Sequence, residues 1–187
     1  MEPHAILAFT FELARQARAG LTALKAAEQA KDADLLHDHI SDFLNHAAVV
    51  SKILKPGAGK PDDRSRVRGR ELRQFLGVSD KDPILDRTLR DLLEHIDEQI
   101  DAWAAGSTDG NVCDVNRGPV SSIKIGGKNA AEISLRHYDD TTGQYYVLGR
   151  PFELKVMADS LRFILQTATA QRRSFMADAG QSRQGGA

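Results

Sequence analysis

Between residues 34 and 55 the apolar positions Leu36, Ile40, Phe43, Ala47, Val50 and Leu54 recur at spacings of four, three, four, three and four. A stripe of that period runs along one side of an α-helix and must be covered by another apolar surface, so it commits the chain to helix-on-helix packing. A cover is present upstream. Over 4–30, Leu7, Phe11, Ala14, Ala17, Leu21 and Leu24 repeat at threes and fours within an alanine-rich stretch, and alanine is the best helix former. Lys31-Asp32-Ala33-Asp34 is the turn between the two helices, with Asp34 as the cap of the second, and Pro56-Gly57 stops it.

Further along, a short helix is predicted over 68–76, ending at Gly77, and a longer one over 83–105. Ser79-Asp80-Lys81-Asp82-Pro83 opens the longer helix, Leu85, Leu89, Leu92, Leu93, Ile96, Ile100 and Trp103 form its apolar side, and Gly106-Ser107 breaks it. Then the period changes. Val120, Ile123 and Ile125, the pair Gly126-Gly127, and Ala131, Ile133, Leu135 and His137 predict a two-stranded hairpin. Asp139-Asp140-Thr141-Thr142-Gly143 is a turn, a third strand follows over 144–148, and Pro151 opens a last helix to about Gln171. The expected fold is mainly α: a single domain over 1–176, built as an antiparallel helical bundle of four to five helices. A small β-meander insertion at about 112–150 precedes the last helix, and 177–187 reads as a disordered tail.

Charge narrows the partners. Across 187 residues, 25 Lys and Arg stand against 26 Asp and Glu, a formal net charge of -1, so bulk charge argues for neither nucleic acid nor a membrane surface. No run approaches the roughly 18 apolar residues of a membrane span. The start lacks the basic leader of a signal peptide, and the lone Cys113 cannot form an internal disulfide. These features fit a reducing cytoplasm. Locally the balance shifts: over 55–73, Lys55, Lys60, Arg64, Arg66, Arg68, Arg70 and Arg73 face Asp62, Asp63 and Glu71. Lys60, Arg64, Arg66, Arg68 and Arg70 are candidate RNA-binding residues, the alternative being a solvated charged loop.

The predicted helix over 83–105 holds the chemistry. At about 100° per residue, Arg90 and His95 lie roughly 140° apart, so a site using both needs a cleft that wraps the helix, a kink, or a second copy of the helix. Asp91 and His95 are four apart and can touch. A carboxylate there would orient the imidazole and raise its pKa, as proton transfer near neutral pH requires. Arg90 offers a permanent cation whose fork suits phosphate oxygens.

Arg90-Asp91, three intervening residues and His95, late in an α-helical bundle, resembles the motif of the HEPN superfamily (higher eukaryotes and prokaryotes nucleotide-binding). The resemblance implies a metal-independent endoribonuclease without cofactors, toxin-like or defence-related, acting as a homodimer with the two motifs facing each other. An antitoxin or another partner protein would accompany it. His95 would be the general acid/base for attack of a ribose 2′-OH on the adjacent phosphate, Arg90 would stabilise the phosphorane, and Asp91 would position one of them. Two alternatives stand beside it: a non-catalytic HEPN-like module that binds a partner or nucleotide, and a solvated helix face with Arg90–Glu94 and Asp91–His95 pairs.

His37, His39, Asp42 and His46 raise a metal alternative, because His39, Asp42 and His46 share a helical face. The Glu-x-x-His pairs of a di-iron bundle are not present in duplicate, so polar-face histidines and no metal site are expected. Gly126-Gly127-Lys128 reads as a hairpin turn, Trp103 as core, and Cys113 as uninvolved in catalysis.

Overall fold

The computed structural model describes residues 2–57, 60, 63–106 and 112–184, with side chains through Phe175. Helix α1 (Pro3–Gln29) turns back through 30–32 into α2 (Ala33–Leu54), and the final helix α7 (Leu154–Gln184) packs on α1. The paired apolar stripes are what hold them: Leu13, Ala17 and Leu24 of α1 meet Leu36, Ile40, Phe43, Ala47 and Val50 of α2 and Ala158, Leu161 and Ile164 of α7 in one buried cluster. Asp32, not Asp34, caps α2; its Oδ1 accepts from the Leu35 amide at 3.1 Å. An N-cap bonds the amide two or three positions on, and Asp32 is the residue placed to do so.

Helix α3 (Arg64–Leu76) begins a turn earlier than the apolar pattern predicts, because the Asp63 carboxylate accepts from the Ser65 amide and hydroxyl. Gly77, at φ 68°, closes it in the left-handed conformation that glycine adopts without a steric cost. Gly69 permits α3 to lie against the end of α2: a Cβ there would sit 2.6 Å from the Leu54 carbonyl oxygen and 2.7 Å from Pro56 Cδ.

The helix expected over 83–105 is three pieces. A 3-10 turn at Pro83–Leu85 leads to α4 (Thr88–Glu94), and α5 (Ile96–Ala105) follows a break at His95, whose φ of -124° and ψ of 35° are not helical. Trp103 Nε1 donates to the Glu132 carbonyl at 3.1 Å and Arg150 Nη2 donates to Gln99 Oε1 at 2.7 Å. Those bonds tie α5 to the strand region. Trp103 is half-buried and packs on the core cluster as expected.

The strand region also departs from the predicted hairpin. β1 (Cys113–Arg117) pairs in parallel with β4 (Ser134–Asp139), which pairs antiparallel with β5 (Gln144–Val147), and β5 with β6 (Arg150–Glu153). The expected hairpin is reduced to β2 (Lys124–Ile125) and β3 (Lys128–Asn129), turned by Gly126-Gly127, before the short helix α6 (Ala130–Ile133). Asn129 and Glu132 satisfy each other's backbone amides in a capping box, which is why Ala131 and Ile133 are helical rather than extended. Pro151 lies in the edge strand β6 instead of opening the last helix, a position where its missing N–H is tolerated. Helix α7 is assigned through Gln184, past Ala177, and 185–187 lie outside the described residues. The chain is thus mainly helical with a small four-stranded sheet before the last helix. Among the described residues no helix is long and apolar enough to cross a membrane.

Candidate functional site

Two arginines converge on the C-terminal end of α2. Arg73 of α3 donates from Nη1 to the Leu54 carbonyl at 2.6 Å, and Arg90 of α4 donates from Nη1 to the Lys55 carbonyl at 2.7 Å. The last carbonyls of a helix have no intrahelical donor and carry partial negative charge, so two guanidinium groups both satisfy and neutralise that end. Arg90 is 3% exposed. Its Nη2 lies 3.6 Å from Asp91 Oδ1 and its Nε 4.0 Å from Glu94 Oε2.

Asp91 is therefore turned toward arginines: Arg87 Nη2 donates to its Oδ1 at 3.2 Å. His95 is not brought to them. Its side chain is 57% exposed, its Nδ1 lies 3.8 Å from Glu98 Oε2, and neither a hydrogen bond nor an ion pair joins its ring to Asp91. Because His95 sits where α4 ends, the regular spacing that would have stacked it over Asp91 is lost. Of the three motif residues, Arg90 and Asp91 are together and His95 stands apart. Glu94 is claimed by Lys52 of α2, whose Nζ is 2.7 Å from Oε1. That hydrogen bond holds the Glu94 carboxyl below its ordinary value, against the opposing effect of burial.

Beside this cluster, α3 and the start of α4 enclose a cleft of about 380 Å³ lined by Lys55, Pro56, Gly57, Arg66, Arg70, Arg73 and Arg87. Five of these side chains are cationic and none is acidic. Arg73 Nε is fixed by Asp80 at 2.8 Å and Arg87 by Asp91, so two of the cations are oriented before any ligand arrives. Such a surface can hold two or more phosphate oxyanions.

The basic run is split by this geometry. Arg66 and Arg70 face the cleft. Arg64 and Arg68 line a different hollow, with Glu2, His4, Phe9 and Glu71, where the Arg68 guanidinium stands 4.6 Å from the centre of the Phe9 ring. Lys60 is exposed and outside both, and Asp62 of the same run lies outside the described residues. Lys55, Arg73 and Arg87 complete the cleft although the motif reading did not single them out. Arg66, Arg70 and Arg73 share a helical face at spacings of four and three, a readable signal. Lys55 and Arg87 arrive only through tertiary packing.

Two of the α2 histidines, His37 and His46, have structural work. His37 is buried, with Nε2 3.1 Å from the Asn116 carbonyl oxygen and Nδ1 3.1 Å from the Tyr145 hydroxyl. A carbonyl only accepts, so Nε2 carries the proton and Tyr145 donates to Nδ1. Burial pushes the Tyr145 phenol up to about 12. His46 Nδ1 is 2.6 Å from Gln16 Oε1. Among the described residues no three His, Cys, Asp or Glu side chains are grouped to hold a metal. Comparisons with protein-family models, with curated proteins and with solved structures give no match.

Proposed function

We propose that the chain is an RNA-binding module of the HEPN type, an antiparallel helical bundle with a β insertion, whose cleft between α3 and α4 grips the phosphates of a single RNA strand. The observation that carries this is the lining by Lys55, Arg66, Arg70, Arg73 and Arg87, with no carboxylate among the described lining residues. The outer face of α5 favours the same register. The exposed Asp97, Glu98 and Asp101 of α5 repel a phosphate backbone there and leave the cleft as its track. In this reading Arg90 is a positioning residue: it binds no phosphate and fixes the end of α2 from which Lys55 projects. The module works in the cytoplasm, paired with a second copy or with a partner protein such as an antitoxin.

A cleaving version is the second reading, favoured by one observation, the exposure of His95 at a helix break. Cutting by 2′-OH attack then needs a second copy that sets its own His95 against the first, since Arg90, Asp91 and His95 of one chain do not converge.

A labelled single-stranded RNA pool incubated in EDTA separates the readings. For the binding module, anisotropy rises on mixing, the Arg66→Ala/Arg70→Ala double variant binds at least tenfold more weakly, His95→Ala binds as the wild type does, and the RNA stays intact. Wild-type affinity in the double variant overturns the cleft. Cutting that survives EDTA and vanishes in His95→Ala establishes the nuclease.

A further inference from the structure

Helix α5 has 10 residues and none of them is buried, short of the roughly 12–15 at which an isolated helix holds in water. Its inner side is anchored: Ile96 and Trp103 pack on the core cluster, and Trp103 and Gln99 are bonded to the Glu132 carbonyl and Arg150. Among the described residues its outer side is uncovered. Asp97, Ile100, Asp101 and Ala104 are all exposed, Ile100 by 37%. At about 100° per residue these four share about 100° of arc, an acidic stripe that also carries apolar surface. Asp97 and Asp101 have no ion-pair partner among the described residues.

A surface of opposite charge lies between α1 and α7. There a hollow of about 230 Å³ is lined by Phe11, Ala14, Arg15 and Arg18 of α1 and by Thr169 and Arg172 of α7, with no carboxylate among the described lining residues. Phe11 is 41% exposed. The Arg172 guanidinium stands 5.0 Å from the centre of the Phe11 ring, and a guanidinium held by a ring keeps its edge donors for a carboxylate. Arg15 is engaged by Glu12 at 2.7 Å, whereas Arg18 and Arg172 have no ion-pair partner among the described residues. The α1 stripe 11, 14, 15, 18 and the α5 stripe 97, 100, 101, 104 have the same spacing, and each runs for about 10 Å. Charge selects between occupants: a second α5 would repel the first, while this hollow attracts it.

We propose that the hollow between α1 and α7 receives α5 of a second copy of this chain, a helix-in-groove contact in which Ile100 covers Phe11 while Asp97 and Asp101 meet Arg18 and Arg172. The contact joins unlike surfaces and uses none of the cations of the cleft, so it does not rest on RNA binding. Sedimentation equilibrium of the full chain without RNA, at submillimolar concentration, tests it. The wild type is expected to self-associate, and more weakly as ionic strength rises from about 0.01 to about 0.15 M. Asp97→Arg/Asp101→Arg and Arg18→Asp/Arg172→Asp are each expected to associate roughly tenfold more weakly, because like charges then face each other. Their equimolar mixture is expected to recover association, since each supplies the surface that the other has reversed. Ile100→Ser keeps every charge and is expected to weaken association about fivefold; it decides the matter if circular dichroism shows that a charge-reversed chain has lost its helices. A wild type that stays monomeric at both ionic strengths overturns the proposal and leaves α5 to a partner of another kind. So does wild-type association in Ile100→Ser or in either charge reversal, or a mixture of two folded variants that stays apart. RNA binding by the cleft stands or falls separately.

Discussion

The Arg90 guanidinium donates to the Lys55 carbonyl at 2.7 Å from a position that is 3% exposed. This bond ties the first turn of α4 to the end of α2, and it makes Arg90 a structural residue before it is anything else. Replacing Arg90 with Ala leaves a helix-end carbonyl without its donor and a void in the packing. The expected cost is about 2 kcal/mol for a charge-assisted bond, or a fall of about 4–8 °C in Tm for a chain of this size. His95→Ala, at an exposed position, changes stability by no more than about 0.5 kcal/mol. Thermal unfolding by circular dichroism reads both; an unshifted Tm in Arg90→Ala removes the anchoring role.

The cationic cleft makes a prediction about salt. Each phosphate neutralised on a single strand contributes about -0.7 to the slope of log affinity against log salt. Arg70→Ala is expected to make that slope shallower by about 0.7. Arg64→Ala, in the hollow shared with Phe9, leaves the slope unchanged. Affinity measured over a salt series decides it, and equal effects of the two substitutions would restore the undivided basic run.

Acid should destabilise the fold through two imidazoles. His37 and His137 are 2% and 0% exposed. Burial pushes both below the ordinary histidine value. The Asn116 carbonyl and Asp114 oppose the shift at His37 while Arg136 and His137 add to it; Asp139, the Gly118 backbone and Asp140 oppose it at His137. The unfolded chain therefore binds protons that the folded chain refuses. Stability is full above about pH 6.5 and falls as the pH drops below that value. Tm is expected to be lower at pH 5 than at pH 7.5, and His137→Leu to narrow the difference. A wider difference in that variant would count against this account.

Gly69 should tolerate no side chain. A methyl at that position meets the Leu54 carbonyl oxygen and Pro56 Cδ at 2.6 and 2.7 Å, a backbone atom and a proline-ring atom rather than flexible tips. Gly69→Ala is expected to cost about 1–3 kcal/mol by overpacking and to weaken RNA binding by moving α3 off the cleft. Gly57→Ala has open space around it and serves as the neutral comparison in denaturant unfolding.

The long helices were legible because their apolar stripes and their ends are local facts: the 4-3-4-3-4 run of α2, Gly77 after α3, Gly106 after α5. The break at His95 was not, since Leu89 through Trp103 keep an unbroken helical spacing. Beyond the break, Trp103 donates to the Glu132 carbonyl and Gln99 accepts from Arg150, and those partners are distant in sequence. β1 was missed for a related reason. Cys-Asp-Val-Asn-Arg alternates apolar and polar over only four residues, too short a signal to read alone, and it pairs as a strand with β4. At the site, residue types were readable and their grouping was not. Asp91 looks equally able to meet His95 or Arg87, and the choice is made by where α4 stops.

The parallel pairing of β1 with β4 also sets an order of assembly. β4, β5 and β6 are joined by tight turns and can zip in sequence, whereas Cys113 and Ser134 become neighbours only after the crossover through 118–133 has closed. The bond from His37 to the Asn116 carbonyl depends on that closure. In refolding followed by pulsed amide exchange, β5 amides are expected to gain protection before those of β1, so the sheet completes itself last along the edge that faces α2.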